Sequence, residues 1–403
     1  MPTITVVGAG FSGLATAYFL TKQNFKVRIY EKAARAGGLI QTLRTSHGLV
    51  ETAANGLRNS KRLEAMCSDI GVPLVGTRKE GRRRFIYRTR PKQVPLRFSD
   101  IFRMAVRFGV SARKLRPEPF ETIAGWGKRV IGEGATDYLL TPALGGIYAG
   151  DSERLSANLI FGRSDLSAAL ETPRPERPKL HGTVAPPDGM QQLIDGLKNY
   201  LERAGVEFYF NQSVEADENE PTVICLSASA TANYLAAPAP EVSESLRRIE
   251  MLSLATVTCF YQPDAARLNG FGCLFPRDQG FRARGVLFNN SIFDRRGPEH
   301  SETWIFGGAL DQDIINLTDA EMAELIAAER ARFYGRNDLP MELILTRWPR
   351  ALPHYSTDLE RILTQLPALP RNLALVGNYL GKIGLAKILE RAAFVAENWA
   401  RTQ

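Results

Sequence analysis

Apolar and polar positions change their period several times along the chain, and each change marks an element. "TITVVGAGFSGLATAYFL" (3–20) is an apolar strand, a glycine-rich turn and the opening of an apolar helix. "FKVRIYE" (25–31) alternates as a second strand, and "TVICLSAS" (222–229) is a short unbroken apolar run, as a buried parallel strand requires. From "LSLATVTCFY" (252–261) to "TWIFGGAL" (303–310) the chain is β-branched and aromatic with glycine punctuation, which predicts an antiparallel sheet. "DAEMAELIAAERARFY" predicts an amphipathic helix starting at Asp319. Between residues 171 and 189, "ETPRPERPKLHGTVAPPDG" carries five prolines and excludes a regular element there.

With 403 residues the chain is long enough for two or three cores. Its net charge of +8 points to an anionic partner: nucleic acid, a membrane surface or an acidic small molecule. Cys67, Cys225, Cys259 and Cys273 lack metal-ligand spacing and read as buried apolar fillers in a reducing compartment. The N-terminus enters a strand at once, leaving no room for a secretion signal, and no apolar run reaches the length of a membrane span. None of the four histidines, His47, His181, His300 and His354, is arranged with Ser or Cys as a nucleophilic triad, and no His pair has metal spacing. His354 is expected to pack or hydrogen-bond locally.

Gly8, Gly10 and Gly13 have the G-x-G-x-x-G spacing between a strand and a helix. The first permits the tight turn, the second lets backbone approach a pyrophosphate, and the third lets helix and strand pack closely. Glu31 ends the next strand eighteen residues after Gly13, where a carboxylate can accept from a ribose hydroxyl. A purely structural turn is the alternative to dinucleotide binding. Arg35-Ala36-Gly37-Gly38 follows. It resembles the R-x-G-G continuation of FAD-binding oxidoreductases of the amine-oxidase type and favours FAD over NAD.

Six further segments, in order, resemble protoporphyrinogen oxidases: "TPALGGIYAGDSERLSA" (141–157), "PPDGMQQLIDGL" (186–197), "GFGCLFP" (270–276) with "GVLFNNSIFDRRGP" (285–298), "TWIFGG" (303–308), "RWPRALPHYS" (347–356) and "NLALVGNYLGKIGL" (372–385). The resemblance implies an α/β fold with a Rossmann-like FAD-binding domain, a sheet-rich substrate domain and a helical membrane-associating segment. The FAD domain would comprise 1–78, 182–235 and 362–403, the helical basic segment 79–181, and the substrate domain 236–361. It also implies FAD-dependent oxidation of protoporphyrinogen IX or coproporphyrinogen III to the porphyrin in heme biosynthesis, with oxygen as acceptor. The cofactor carries the redox chemistry, and no general base is assigned.

By the same resemblance FAD is contacted at Gly8, Gly10, Phe11, Ser12 and Gly13, then at Glu31, Lys32, Arg35, Gly37 and Gly38. Later contacts come from Val214, Trp348, Gly377, Asn378, Ile383 and Leu385. Phe271 and Leu274 would lie beside the tetrapyrrole, Leu287 and Ile305 would form another wall, and the Gly146 backbone would face the reacting ring. Plain core packing is the alternative for each.

"GRRRFIYRTRPKQVPLRF" (81–98) contains six arginines, one lysine and no acid. Its "RRRFIY" resembles the family's "RFxY" element and places Arg84 against a substrate propionate, which a planar guanidinium suits. Between 78 and 116 there are fourteen Lys/Arg against Glu80 and Asp100, more than one substrate needs. Phe98, Ile101, Phe102, Ala105, Val106 and Phe108 interleave with Arg103 and Arg107. That pattern predicts a peripheral helix on an anionic membrane surface, at the cytoplasmic side. A solvated basic face is the alternative, and nucleic acid is excluded for want of a recognition motif.

The sequence also departs from the family. Ala53 and Ala54 stand where relatives carry a glycine and a proline, and Lys382, Lys387 and Ala392 replace a glycine, an acid and a glycine in the C-terminal flavin loop. The segment "EADENEP" (215–221) is short. Two other readings therefore stay open: an FAD-dependent amine- or carotenoid-type oxidoreductase, and a divergent non-catalytic porphyrin-binding paralogue.

Overall fold

The computed structural model describes residues 3–102, 115–162, 178–215, 217, 220–265, 268–381 and 383–402. Its strands in chain order are β1 (Thr3–Val7), β2 (Lys26–Glu31), β3 (Thr42–Arg44), β4 (Leu49–Glu51), β5 (Leu57–Arg58), β6 (Val75–Gly76), β7 (Arg84–Arg88), β8 (Arg90–Lys92) and β9 (Thr183–Ala185). There follow β10 (Glu207–Phe210), β11 (Thr222–Ile224), β12 (Met251–Tyr261), β13 (Gly272–Leu274), β14 (Gly285–Phe288), β15 (His300–Gly307), β16 (Glu342–Pro353) and β17 (Leu373–Leu375).

The first sheet is fully parallel, in the order β10-β2-β1-β11-β17. Its central strands are nearly continuous apolar runs because both faces are covered. Ile4, Val6, Ile29 and Val223 are all fully buried with Leu14 and Ala17 of the helix Phe11–Lys22 and Leu193 and Leu197 of the helix Gln191–Arg203. The chain runs from β1 to β2 on one side and returns much later to β11 on the other. The order thus reverses at β1, and a crevice opens at the carboxyl ends of such strands.

The second sheet has the order β16-β12-β15-β14-β13-β7-β8, antiparallel except for the β13–β7 pair. Alternation sorts its two faces. Phe85, Cys273, Val286, Trp304 and Val257 point into a core completed by Met322, Ile326 and Phe333 of the helix Asp319–Tyr334. Arg84, Leu274, Leu287, Ile305 and Thr256 occupy the opposite face by the same registers.

Residues 84–92, expected within a helical basic segment, instead form β7, paired with β13 and β8, and the edge strand β8. The reason lies in the placement of apolar residues. Phe85 and Ile86 are buried in β7 while Arg90 stays exposed on β8, where charge on an edge strand discourages pairing with another chain. α-Helix appears at residues 98–102, and in the proline-rich stretch 171–189, expected to hold no regular element, Thr183–Ala185 forms β9 because β5 and β6 pair with it on either side. Arg103, Ala105, Val106, Arg107, Phe108 and Lys382 lie outside the described residues.

A further core joins the "GIYAGD" and "ALPHYS" regions, with Leu144, Leu155, Tyr355, Leu359 and Tyr379 packed together. Buried Glu360 ties it, accepting from Ser156 Oγ at 2.5 Å and from Asn158 Nδ2 at 2.8 Å. All four cysteines are free and buried, and burial pushes the thiols of Cys67, Cys225 and Cys259 up to about 12. Among the described residues no helix is long and apolar enough to cross a membrane.

Candidate functional site

The glycine turn closes at the carboxyl end of β1. Gly8 has φ +102°, and its N–H donates to Tyr30 O at 2.8 Å. A Cβ on Gly13 would stand 1.8 Å from the Gly8 carbonyl oxygen, so only glycine lets helix and turn meet. Gly10 caps the helix Phe11–Lys22 in an extended conformation with no side-chain cap bond. The opening amides of Phe11 and Ser12 are therefore not taken by a capping side chain, and a phosphate is their natural partner.

The second loop folds against the first. Gly37 N donates to Ala9 O at 2.8 Å, and a Cβ on Gly38 would lie 3.3 Å from Gly10 Cα. Arg35 braces this loop from within: Nη2 donates to Gly38 O at 2.8 Å and Nη1 to Ala36 O and Ile40 O at 3.1 Å. Glu31 links the two loops, accepting from Ala9 N and Ala33 N, each at 2.8 Å. Each carboxylate oxygen keeps a further lone pair for a hydroxyl donor. Asn211 N and Gln212 N donate to Ala33 O and Glu31 O at 3.2 and 3.1 Å, which brings half-buried Val214 to the same end. Lys32 is exposed. Bare glycine walls and open helix amides fit the phosphate half of FAD.

Toward the other end, Trp348 Nε1 donates to Thr52 O at 2.7 Å and Thr256 Oγ1 to the same oxygen at 3.3 Å. Thr52, Ala53 and Ala54 are thereby held beside the second sheet. Asn378 accepts from the Tyr355 hydroxyl through its carbonyl, and a Cβ on Gly377 would strike the Tyr379 ring at 2.4 Å. Ile383 and Leu385 are half-buried where the last helix, Leu385–Thr402, begins. Lys387 turns along that helix to Glu390 at 2.7 Å, and Ala392 is fully buried.

One anchor of this region escaped sequence reasoning. Buried Glu51 accepts from Met190 N at 2.9 Å, Arg296 Nη1 at 3.0 Å and Thr42 Oγ1 at 2.8 Å. Burial raises its pKa more than the Arg296 charge and the hydrogen bonds lower it. The available signal was an acid closing the apolar run "GLVE".

The residues expected to meet substrate fall into two contacts on one sheet face. The Arg84 guanidinium lies over the Phe271 ring, 4.2 Å from its centroid, and Arg84, Gly272 and Leu287 are in register across three strands. Arg84 has no carboxylate partner among the described residues. Two residues along, Leu274, Gly285 and Ile305 are in register, and Leu274 Cδ2 lies 2.5 Å from where a Cβ on Gly146 would stand. Phe271 and Leu287 also pack against the core beneath the first sheet, so each is half wall and half core. His354 is fully buried, with Nδ1 3.0 Å from Glu250 and Nε2 accepting from Asp151 N at 3.4 Å. Both ring nitrogens are thus engaged in local hydrogen bonds.

In the basic stretch Arg88 stacks 3.6 Å over Tyr138 and donates to Pro95 O at 2.7 Å. Beside it Val94, Phe98, Ile101 and Phe102 are exposed, Phe98 to 93%.

Residues 11–381 match the family model for flavin containing amine oxidoreductases. The chain is 25% identical over 97% of its length to the chloroplastic protoporphyrinogen oxidase of Nicotiana tabacum, covering 84% of that protein. It is 24% identical to the human protoporphyrinogen oxidase, covering 88% of each chain. In three dimensions it is similar to an Exiguobacterium protein provisionally called a protoporphyrinogen oxidase, with a TM-score of 0.81 over 100% of this chain and 99% of that one at 19% identity. It is also similar to the cyclohexylamine oxidase of Brevibacterium oxydans, with a TM-score of 0.72 over 99% of both chains at 16% identity.

Proposed function

The chain belongs to the flavin-containing amine oxidoreductase family and is an FAD-dependent oxidoreductase, and we propose that its substrate is a porphyrinogen, protoporphyrinogen IX or coproporphyrinogen III, oxidised to the porphyrin with oxygen as acceptor. The observation that carries this reading is a cation on the rim of an apolar face. Arg84 lies over Phe271 without a carboxylate of its own among the described residues, and Leu274, Leu287 and Ile305 continue the face away from it. A greasy ring with acidic arms matches that combination, because the ring takes the apolar surface and an arm supplies the missing counter-charge. The names of the relatives agree with it.

FAD supplies the hydride-accepting chemistry when bound. The protein's own work is to hold and orient. The turn Gly8–Gly13 and the helix amides after it hold the pyrophosphate, and Glu31 holds a ribose. The backbone at Gly377 and Asn378 and the start of the last helix hold the flavin end. Arg84 anchors a propionate, and the wall of Phe271, Leu274, Leu287 and Ile305 keeps water from the ring. Gly146 lets the ring approach backbone closely. We divide the chain accordingly into an FAD-binding part (1–78, 182–235, 362–403), a basic part (79–181) and a substrate part (236–361).

The test is direct. The purified protein should show flavin absorbance and produce porphyrin fluorescence from a porphyrinogen, while cyclohexylamine and putrescine leave the flavin oxidised. Amine turnover without porphyrin formation overturns the assignment. Arg84→Ala should raise the porphyrinogen KM about tenfold with kcat largely kept, the signature of a lost binding contact. An unchanged KM removes Arg84 from the site.

We also propose that the protein rests on an anionic membrane surface through Val94, Phe98, Ile101 and Phe102, flanked by Arg90, Lys92 and Arg97. Phe98→Ser with Phe102→Ser should cut co-sedimentation with phosphatidylserine vesicles several-fold at low salt. Equal sedimentation of variant and wild type rejects this surface.

A further inference from the structure

The two edges of the second sheet are built differently. At one edge β8 reads Arg90-Pro91-Lys92, a short charged strand with a proline, which discourages pairing. At the other edge stands β16, twelve residues long and paired only with β12. From Met341 to Trp348, between Pro340 and Pro349, it carries no lysine, no proline and no register shift. The shift comes later, opposite Leu252 and Leu254, where Arg350 takes φ +57°. Along the flat stretch the backbone groups on the outer side have no hydrogen-bond partner among the described residues. Leu339 and Met341, just before it, are exposed. Such an edge is a template for one more strand.

Two side chains on this edge also lack partners. Glu342 stands opposite Phe260 and Thr346 opposite Thr256, so both lie on one face by alternation. Glu342 makes no hydrogen bond or ion pair among the described residues, and its Oε2 is shut off from water. A carboxylate oxygen in that state is costly until it meets a donor. The Thr346 hydroxyl has no hydrogen bond among the described residues either.

We propose that β16 pairs with β16 of a second copy of this chain, antiparallel about a two-fold axis through Ile344. Residues set opposite each other by such an axis must lie on the same face, which leaves few registers. The axis at Ile344 sets Glu342 opposite Thr346 of the partner subunit, and by symmetry the match occurs twice. Each hydroxyl then donates to a carboxylate, a charge-assisted bond across the strands. Leu343 comes opposite Leu345 of the partner subunit, extending the apolar face that both share with Cys259 and Val257. Met341 meets Arg347 of the partner subunit, so like charges are nowhere opposed. An axis through Leu345 would instead set Glu342 against Trp348 and leave the carboxylate without a donor. The other possible occupant is an extended segment of a different protein. The match of Glu342 with Thr346 inside one strand favours a second copy.

The FAD-loaded full chain is sedimented over a concentration series, as wild type and as the variant Phe98→Ser with Phe102→Ser. The variant removes association through the other exposed apolar patch. Both should pass from monomer to dimer below about 100 μM. Thr346→Val should weaken the dimer about tenfold and leave the melting temperature of the dilute protein unchanged, because the hydroxyl has no partner within its own chain. Ile344→Cys should form an intermolecular disulfide on mild oxidation, since residues on the axis stand about 4.5–5.5 Å apart and the four native thiols are buried. Should Ile344→Cys fold poorly, hydrogen exchange of the wild type decides: amides within 342–348 should exchange more slowly in concentrated than in dilute protein. A chain that stays monomeric throughout overturns the proposal. So does a dimer that the Phe98 and Phe102 substitutions abolish, one that Thr346→Val leaves at wild-type affinity, or one whose folded Ile344→Cys variant stays reduced.

Discussion

Gly10 and Gly13 sit three positions apart in one motif but answer to different demands. A methyl on Gly13 would press into the Gly8 carbonyl at 1.8 Å, a backbone atom that cannot yield. Gly13→Ala should therefore cost about 3 kcal/mol of stability and release FAD. On Gly10 the nearest atom to an added Cβ is Gly38 Cα at 3.9 Å, an ordinary contact. Gly10→Ala should keep its melting temperature within a few degrees and still lose flavin absorbance on desalting, because the methyl would stand in the path we propose for the dinucleotide. Equal melting losses in the two variants would contradict this division of labour. Motif spacing gives the two positions different roles, and the neighbours of each Cα show how differently a methyl would fare at each.

At the level of elements, legibility followed the placement of charge. The helix Asp319–Tyr334 has the bounds its periodicity predicts, with Thr318 as its cap and Glu321 completing a capping box. Thr318→Ala should lower stability by about 1 kcal/mol in a denaturant titration and leave flavin content unchanged. β1 and β11 were equally readable, since strands buried on both faces write their burial as continuous apolar runs, and β2 showed itself by its alternation. β7 and β8 were not. They fell within the stretch expected to be a helical basic segment, but β7 pairs with β13 on one side and β8 on the other, with Phe85 and Ile86 buried on its two faces.

Across the whole molecule, the second sheet depends on a buried charge cluster that no motif announces. Glu302 is fully buried. It meets His300 and Tyr334 at 2.9 Å, and Trp304 and Arg330 at 3.2 Å. Burial alone would raise its pKa, but the His300 bond, the Arg330 charge and the Tyr334 bond together outweigh it and hold the carboxyl below its usual value. A depressed carboxyl stabilises the fold above its unfolded pKa of about 4.3, and that contribution is lost as pH falls through the lower folded value. Glu302→Gln should be destabilised by about 3 kcal/mol at pH 7, with the gap to wild type narrowing as pH falls below about 4. Urea midpoints at a series of pH values check it, and a gap independent of pH would rule out the ionised form as the source.

The dinucleotide turn, the choice of FAD and the strands of the N-terminal βαβ unit were present in the linear sequence. They depend on neighbours a few positions away, where spacing fixes geometry. The pairing of β7 with β13 and the anchoring of Glu51 by Arg296 were decided only in three dimensions. Each joins residues brought together by sheet register and packing, and register is set by many weak side-chain contacts at once rather than by any local signal.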